Sequence, residues 1–174
     1  MKKKLLWTAA LCVLTAAAAI PVRAVETDSA GKTRFETVMR EFTKSWNAHD
    51  AAKMAATMSE NGDLINPFNR AARGQTEIQK LFVEEQGGPM KESTYKIESS
   101  TYREINKNAG IGDWSGVVTG IRGPDGKVAP PFQHHVTVFM VNGGGKWECA
   151  AVRAYVFATP PPPPPAAAPK TKKK

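Results

Sequence analysis

The chain has 174 residues, of which 24 are basic and 16 acidic, so its formal net charge at neutral pH is +8. Four basic residues lie within positions 1–24 and four within positions 160–174, and neither segment contains an acid, which leaves 16 charges of each sign in residues 25–159. Because the excess charge belongs to the two ends, the central region offers no basic face for phosphates, and the composition excludes a nucleic-acid-binding function.

The N-terminal segment has the layout of an export signal. A cationic stretch at residues 1–4 is followed by an uncharged run at residues 5–20 and then by Pro21-Val22-Arg23-Ala24. This pattern is typical of a secretory signal peptide that is cleaved after Ala24. A membrane anchor is the alternative, but the run is shorter than the roughly 20 apolar residues needed to cross a bilayer. We therefore predict a signal peptide at residues 1–24 and an exported protein, periplasmic or secreted.

The first predicted helix follows this segment and carries one apolar stripe at the 3.6-residue period, formed by Phe35, Val38, Met39, Phe42 and Trp46. The sequence breaks at residues 47–50, where Asp50 is well placed to cap a second helix over residues 51–58. A third helix is predicted over residues 75–85, and a glycine pair with a proline at residues 87–89 ends it.

Strands dominate the second half of the sequence. A short strand is predicted over residues 63–67, where Pro67 ends it. After the third helix the apolar period changes to two, which predicts four strands near residues 94–105, 109–122, 133–141 and 146–157. Helices followed by long antiparallel strands predict one α+β domain over residues 25–159, and a curled sheet closed by helices leaves a concave interior.

Cysteine and histidine usage is sparse. Cys12 lies in the signal segment, so Cys149 is the single cysteine of residues 25–159 and an intrachain disulfide is excluded there. Its apolar surroundings predict a buried, inert thiol. The three histidines have no Cys or carboxylate neighbours at ligand spacing, so we predict neither a metal nor a cofactor.

The chain ends in an unbroken run of prolines at residues 160–165 and four lysines within residues 170–174. Consecutive prolines fix φ and lack N–H donors, which predicts an extended, disordered tail over residues 160–174. A solvated tail is the simpler interpretation. The alternative is weak contact with an anionic envelope surface, to which each lysine would contribute about 1 kcal/mol.

Several short motifs together resemble the SnoaL-like domains of the nuclear transport factor 2-like superfamily, a group of small polyketide cyclase and ketosteroid isomerase-like domains. The motifs are Trp46–Asp50, Asn61–Asp63, Arg73–Ile78 and the final hairpin Val138–Trp147. The resemblance implies a cone-shaped α+β fold, with three N-terminal helices packed on a strongly curved, mostly antiparallel sheet, a hydrophobic pocket and a homodimer. It leaves the activity open, because this fold supports many functions.

Three positions argue against the reaction of ketosteroid isomerase itself. Asn66 stands where that enzyme has its catalytic carboxylate, immediately before a proline, and Phe42 stands where it has its oxyanion-binding tyrosine. The strand over residues 133–141 contains no acid. An amide cannot abstract a proton and a phenyl ring cannot donate a hydrogen bond, so we do not expect isomerisation by that mechanism.

Other polar residues are candidates for the pocket. His134 and His135 share a strand, so only one of them faces inward, and matching the hairpin to the isomerase implies His135, in phase with Phe139. If the last strand turns Arg153 and Tyr155 to the same side, they would hold an anionic or carbonyl-bearing ligand beside His135, which would act as an acid or base. The alternative is a half-buried, satisfied His135 and an Arg153 paired with a surface acid.

The remaining predicted ligand contacts are pocket-wall residues: Phe42, Trp46, Asn66, Trp114 and Phe139. The leading hypothesis is an exported domain that binds a small hydrophobic or carbonyl-bearing molecule. The second is a lyase, cyclase or isomerase that acts on a small carbonyl compound through His135. The third is a dimerisation module without a ligand, in which the outer face of the sheet pairs with a second copy.

Overall fold

A computed structural model describes residues 30–158 of the chain. The predicted signal peptide and the Pro/Lys tail lie outside these residues. The elements in chain order are α1 (Ala30–Asn47), α2 (Ala51–Ala56), β1 (Asp63–Ile65), β2 (Ala71–Arg73), α3 (Gly74–Gly87), β3 (Thr94–Asn106), β4 (Ala109–Thr119), β5 (Phe132–Gly143) and β6 (Lys146–Tyr155). None of these three helices is long and apolar enough to cross a membrane.

The six strands form one sheet in the order β2-β1-β6-β5-β4-β3. Every neighbouring pair is antiparallel except β1 and β6, which run parallel. Helices α1 and α3 contact the sheet, α2 packs against α1 and α3, and all three helices contribute to one hydrophobic core. The predicted α+β class, with three N-terminal helices on a mostly antiparallel sheet, is therefore confirmed.

The helix termini follow the local signals in the sequence. Helix α1 ends at Asn47, and His49 adopts a positive φ of 54° in the break that follows. Helix α2 begins after Asp50, whose carboxylate accepts a hydrogen bond of 3.0 Å from the Lys53 amide, as expected of an N-cap. The His49 ring forms a hydrogen bond with the side chain of Gln86, near the end of α3. Both His49 and Asp50 therefore have structural partners at the break.

Glycines in β4 let aromatic rings lie directly against the sheet. A Cβ atom at Gly112 would lie 2.2 Å from the Phe35 ring, and one at Gly116 would lie 2.4 Å from Tyr95 Oη. Such distances leave no room for a methyl group without displacement of the ring. The glycines of β4 therefore determine how closely α1 and the Tyr95 ring approach the concave face.

Strand β2 is the element that the sequence did not predict. Its three residues pair antiparallel with β1, with Leu64 opposite Ala72. A segment this short, with exposed residues on either side of Ala72, has too few positions to display an alternating pattern. Together β1 and β2 extend the sheet beyond β6 and place the turn after Asn66 at one end of the concave face.

Candidate functional site

A cavity of about 70 Å³ lies between the concave face of the sheet and helices α1 and α3. Most of its wall is apolar, and seven aromatic side chains contribute to it: Phe42, Trp46, Phe68, Phe82, Tyr95, Trp114 and Phe132. Phe68 is 53% exposed and Trp114 only 4%, so the cavity runs from solvent into the core. Few polar side chains line the cavity. The titratable residues in its wall are Glu85, Tyr95, His134 and Cys149.

Phe42 lies at the centre of the aromatic wall. Its ring centroid lies 5.9 Å from that of Trp46, 5.8 Å from Phe82 and 6.0 Å from Tyr95. These spacings and the tilted ring planes are typical of favourable aromatic contacts. The position that holds an oxyanion-binding tyrosine in ketosteroid isomerase therefore provides packing here and no hydrogen bond.

Strand β5 alternates, and its even-numbered side chains point to the buried face of the sheet. His134 and Val136 line the cavity and are 8% and 4% exposed, whereas His135 lies on the outer face together with Phe139, which is 39% exposed. The prediction that His135 faces inward is therefore wrong. Both faces of β5 carry apolar side chains, so the sequence pattern does not fix which face the helices cover.

A β-bulge changes the phase of β6 halfway along its length. Met140 pairs with Cys149 and Phe139 pairs with Ala151, which leaves Ala150 as an extra residue in β6. Up to the bulge the odd-numbered side chains face the helices, and beyond it the even-numbered ones do.

Arg153 and Tyr155 consequently lie on the outer face, and Val152 and Ala154 line the cavity in their place. The prediction that Arg153 and Tyr155 contact a ligand in the cavity is wrong, because a simple alternation along β6 ignores the bulge. Of the predicted ligand contacts, the structure brings Phe42, Trp46, Asn66 and Trp114 to the cavity and leaves Phe139, Arg153 and Tyr155 outside it.

The outer-face residues have partners of their own. The Arg153 guanidinium donates two hydrogen bonds, of 2.7 and 3.2 Å, to the Asp63 carboxylate and so links β6 to β1. The ring centroid of His135 lies 5.8 Å from that of Tyr155 and 4.4 Å from that of Phe157. These contacts match the alternative in which Arg153 pairs with a surface acid.

A chain of buried hydrogen bonds crosses the concave face. The Trp114 indole N–H donates to Tyr95 Oη over 2.6 Å, and Tyr95 Oη lies 3.2 Å from His134 Nε2. An indole can only donate, so the Tyr95 oxygen accepts from Trp114. We assign the Tyr95 hydroxyl as the donor to His134 Nε2. With this assignment His134 carries its proton on Nδ1, which is buried and makes no hydrogen bond of normal geometry within residues 30–158, although the ring interacts with the Phe132 backbone.

Burial keeps this network neutral. It lowers the pKa of His134 to about 4, although the Phe132 backbone opposes the shift. Burial also raises the pKa of Tyr95 far above its usual value, with a smaller opposing effect from the Trp114 hydrogen bond. At neutral pH the cavity therefore contains a neutral imidazole with an unsatisfied N–H donor and a neutral phenol.

Glu85 provides the cavity's carboxyl group, on the inward side of α3. One of its oxygens accepts a hydrogen bond of 2.6 Å from the Asn66 side-chain amide. Burial raises the pKa of this carboxyl group, and the Asn66 hydrogen bond and the nearby Arg70 charge only partly oppose the effect. The place of the isomerase carboxylate is thus held by an amide that contacts a carboxylate from another element.

Glu85 and Tyr95 were not identified from the sequence, although both carry a detectable signal. Ile78, Phe82 and Glu85 recur at intervals of four and three residues, so Glu85 continues the apolar stripe of α3. Tyr95 and Ile97 alternate with charged residues at the start of β3.

Cys149 is fully buried beside the cavity, and burial raises the pKa of its thiol to about 12, which agrees with the predicted inert cysteine. Across residues 30–158, no three or more His, Cys, Asp and Glu side chains are grouped in a way that would hold a metal ion.

No protein-family model and no curated protein matches this chain. Solved structures do match. An uncharacterised protein with a cystatin-like fold from Caulobacter vibrioides aligns with a TM-score of 0.67 at 15% identity, over 75% of this chain and 92% of that one.

Two further structures extend the similarity. A nuclear transport factor 2-like protein with a cystatin-like fold from Novosphingobium aromaticivorans has a TM-score of 0.61 at 12% identity, over 73% of this chain and 82% of that one. A ketosteroid isomerase-like protein from Erwinia carotovora atroseptica has a TM-score of 0.59 at 16% identity, over 73% of this chain and 96% of that one. The chain therefore has a cystatin-like fold, the fold of the nuclear transport factor 2-like protein among these structures.

Proposed function

We propose that the domain binds a small apolar molecule that carries one hydrogen-bond acceptor, such as a carbonyl oxygen. The observation that carries this proposal is the buried Nδ1 atom of His134, which has no side-chain partner within the described residues although it belongs to a residue lining an apolar cavity. A buried donor without a partner costs roughly 1–3 kcal/mol, and a ligand acceptor removes that cost.

The hydrogen-bond directions define what the ligand must offer. With Tyr95 assigned as the donor to His134 Nε2, the imidazole presents a donor and not an acceptor at Nδ1. Because burial holds the pKa of His134 at about 4, this donor is neutral at physiological pH and suits a neutral acceptor. A ketone, aldehyde, amide or ether oxygen meets this requirement, whereas a hydrocarbon does not.

The size of the cavity favours a compact ligand. Its volume of about 70 Å³ is below the roughly 300–1,000 Å³ typical of sites for drug-sized molecules. Its wall includes Met58 and Met90, whose unbranched side chains adjust readily to a guest. A five-membered ring with one polar substituent suits these dimensions.

The fold and the N-terminal segment supply the biological setting of the proposal. One solved structure that shares this fold is a ketosteroid isomerase-like protein, which supports a role for the concave interior in binding small molecules. Cleavage after Ala24 would place this binding activity in the periplasm or outside the cell. Catalysis through His135 has no support, because that ring lies on the face away from the cavity.

Calorimetric titration with a matched pair of probes tests the proposal. Cyclopentanone offers a carbonyl oxygen, and methylenecyclopentane has the same shape without an acceptor. We expect saturable binding of both, with cyclopentanone favoured about three- to tenfold, the value of one net hydrogen bond.

Two neighbouring histidines provide a matched set of variants. The His134→Phe variant retains an aromatic ring at this position but lacks Nδ1. It should therefore show no preference for cyclopentanone. His135→Phe, on the outer face, should leave the preference unchanged. The proposal is overturned if cyclopentanone does not bind to the folded protein, or if its advantage survives in the His134→Phe variant.

A homodimer through the outer face of the sheet is a second proposal, supported by exposed apolar side chains there. Phe139 is 39% exposed, Val141 40% and Phe157 71%. Sedimentation velocity of Phe139→Lys should show loss of a dimer that the unaltered protein forms. A monomer in both samples would exclude this interface.

A further inference from the structure

The carboxyl group of Glu85 has no cationic partner, although it lies within the wall of a mostly apolar cavity. The neighbouring charges are Arg70 and Glu84, and the Arg70 guanidinium forms its ion pair with Glu84. Within residues 30–158 Glu85 therefore accepts a hydrogen bond from the Asn66 amide but forms no ion pair. An ionised carboxylate in such surroundings is costly unless a cation approaches it.

The turn after β1 fixes the position of this carboxyl group. Asn66 Oδ1 accepts hydrogen bonds of 3.0 Å from the Phe68 amide and 2.8 Å from the Arg70 amide, which orients the Asn66 side-chain NH₂ toward Glu85. Asn66 is 7% exposed, so water does not compete freely for this contact. Its NH₂ donates to Glu85 Oε1, and Oε2 makes no hydrogen bond within the described residues.

We infer that the cavity selects molecules that carry a protonated amine, with Glu85 as the counter-ion and the aromatic wall as the second source of attraction. This inference rests on the proposed small-molecule-binding function and adds the chemical class of the ligand. The faces of tryptophan, tyrosine and phenylalanine rings attract a cation that lies within about 6 Å of their centres. Trp46, Phe82 and Phe68 line the same cavity as Glu85, so a bound ammonium meets both kinds of group.

The combined site has two polar ends. His134 Nδ1 presents a neutral N–H donor, and Glu85 presents an acceptor that carries a negative charge when ionised. A ligand that satisfies both groups is an amine with an apolar body and an acceptor oxygen. A purely neutral ligand would leave the ionised Glu85 without a cation.

The inference also determines the direction of a pH effect. The groups that face Glu85 are Asn66 and Arg70 from the turn after β1, Glu84 from α3, and His134 across the cavity. An ammonium ligand binds the ionised form of Glu85, so its affinity should fall as pH falls through the pKa of Glu85. Burial raises that pKa above the ordinary value of 4.5, and the loss therefore begins at a higher pH than for an exposed glutamate.

Titration with cyclopentylamine and cyclopentanone tests the inference, because the two probes share a ring and differ in charge. The quantity measured is the ratio of the affinity for the amine to that for the ketone at neutral pH. Glu85→Gln should lower this ratio by about tenfold or more, as expected when a desolvated charge pair is lost. Glu104→Gln, which alters an exposed carboxylate of β3 outside the cavity, should leave the ratio within about twofold.

The outcomes separate the inference from the proposed function. An unchanged ratio in the Glu85→Gln variant, with cyclopentanone still bound, overturns the amine preference and leaves the binding function intact. A lack of cyclopentanone binding overturns the binding function as proposed, and amine binding that depends on Glu85 would still support the inference. If the folded, unaltered protein binds the amine no better at pH 8 than at pH 4, the inference is overturned.

Discussion

Tyr95 Oη lies 3.2 Å from His134 Nε2, and this contact joins the first residues of β3 to those of β5 across the concave face. Trp114 completes the connection from β4, because its indole N–H occupies one acceptor site of the Tyr95 oxygen. The three side chains fix one tautomer of His134 and direct its free donor away from Tyr95. The chemistry of the cavity therefore depends on a hydrogen-bond chain that spans three neighbouring strands.

The neutral state of His134 predicts a pH-dependent stability. Its pKa in the folded protein is about 4, below the ordinary value of 6.5, so the unfolded chain binds more protons between these values. The stabilisation is complete above about pH 6.5 and is lost as pH falls toward 4, by roughly 3 kcal/mol in total. Urea unfolding from pH 4.5 to 7.5 measures this slope.

Variants isolate the His134 contribution from those of other groups. Glu85 acts in the opposite direction, because its raised pKa means that the folded state binds the extra proton. The difference in slope between the unaltered protein and His134→Phe should therefore report His134 alone, and His135→Phe should retain the original slope. A slope that His134→Phe does not change would contradict the assigned pKa.

The close approach of rings to β4 predicts a large cost for a single methyl group. A Cβ at Gly112 would lie 2.2 Å from the Phe35 ring, so Gly112→Ala must displace α1 or the ring. We expect a loss of roughly 1–3 kcal/mol in the free energy of unfolding. Gly143→Ala is the control, because a Cβ there meets nothing within 4 Å. Equal stabilities of the two variants would show that Phe35 does not pack on Gly112.

The cavity itself predicts the effect of filling it. Ala154→Leu adds three carbon atoms to the cavity wall, and it should weaken cyclopentanone binding by at least about tenfold while stability changes by less than about 2 kcal/mol. Ala151→Leu, on the outer face of the same strand, should bind as the unaltered protein does. Retained affinity in the Ala154→Leu variant would place the ligand elsewhere.

The ion pair between Arg153 and Asp63 predicts a structural role for both residues. Their side chains are 36% and 33% exposed, so the bidentate pair should contribute only about 0.5–1 kcal/mol. A double-mutant cycle with Arg153→Gln and Asp63→Asn measures this coupling by urea unfolding. Ligand affinity should be the same in all four proteins of the cycle. A lower ligand affinity of the Arg153→Gln variant would show that Arg153 belongs to the binding site.

Element identity was predictable from the sequence, whereas the facing of the last two strands was not. The apolar stripe of α1 and the two-residue period of β3 to β6 are local signals that survive in the fold. In β5, Val136, Val138 and Met140 alternate with Phe139 and Val141, so either face has enough apolar surface to be buried. The choice is made by packing against α1, which no local pattern encodes.

The two site errors have separate physical origins. The match to the isomerase hairpin requires the same strand register in both proteins. That requirement selects His135 as the inward-facing histidine, whereas His134 faces inward in the structure. The β6 error arose because Ala150 is an unremarkable residue in sequence, although it forms the bulge that turns Arg153 outward. Glu85 was not predicted as a site residue, although its position continues the inward-facing apolar stripe of α3 and so indicates that it faces the core.

The most direct test uses the tryptophans as internal reporters in a ¹H–¹⁵N correlation spectrum of the protein. Trp46 and Trp114 line the cavity, while Trp147 is buried outside it. Addition of cyclopentanone should shift the indole N–H signals of Trp46 and Trp114 in a saturable manner and leave that of Trp147 in place. Unmoved signals at saturating probe, or equal shifts of all three, would contradict binding in the cavity between α1 and the sheet.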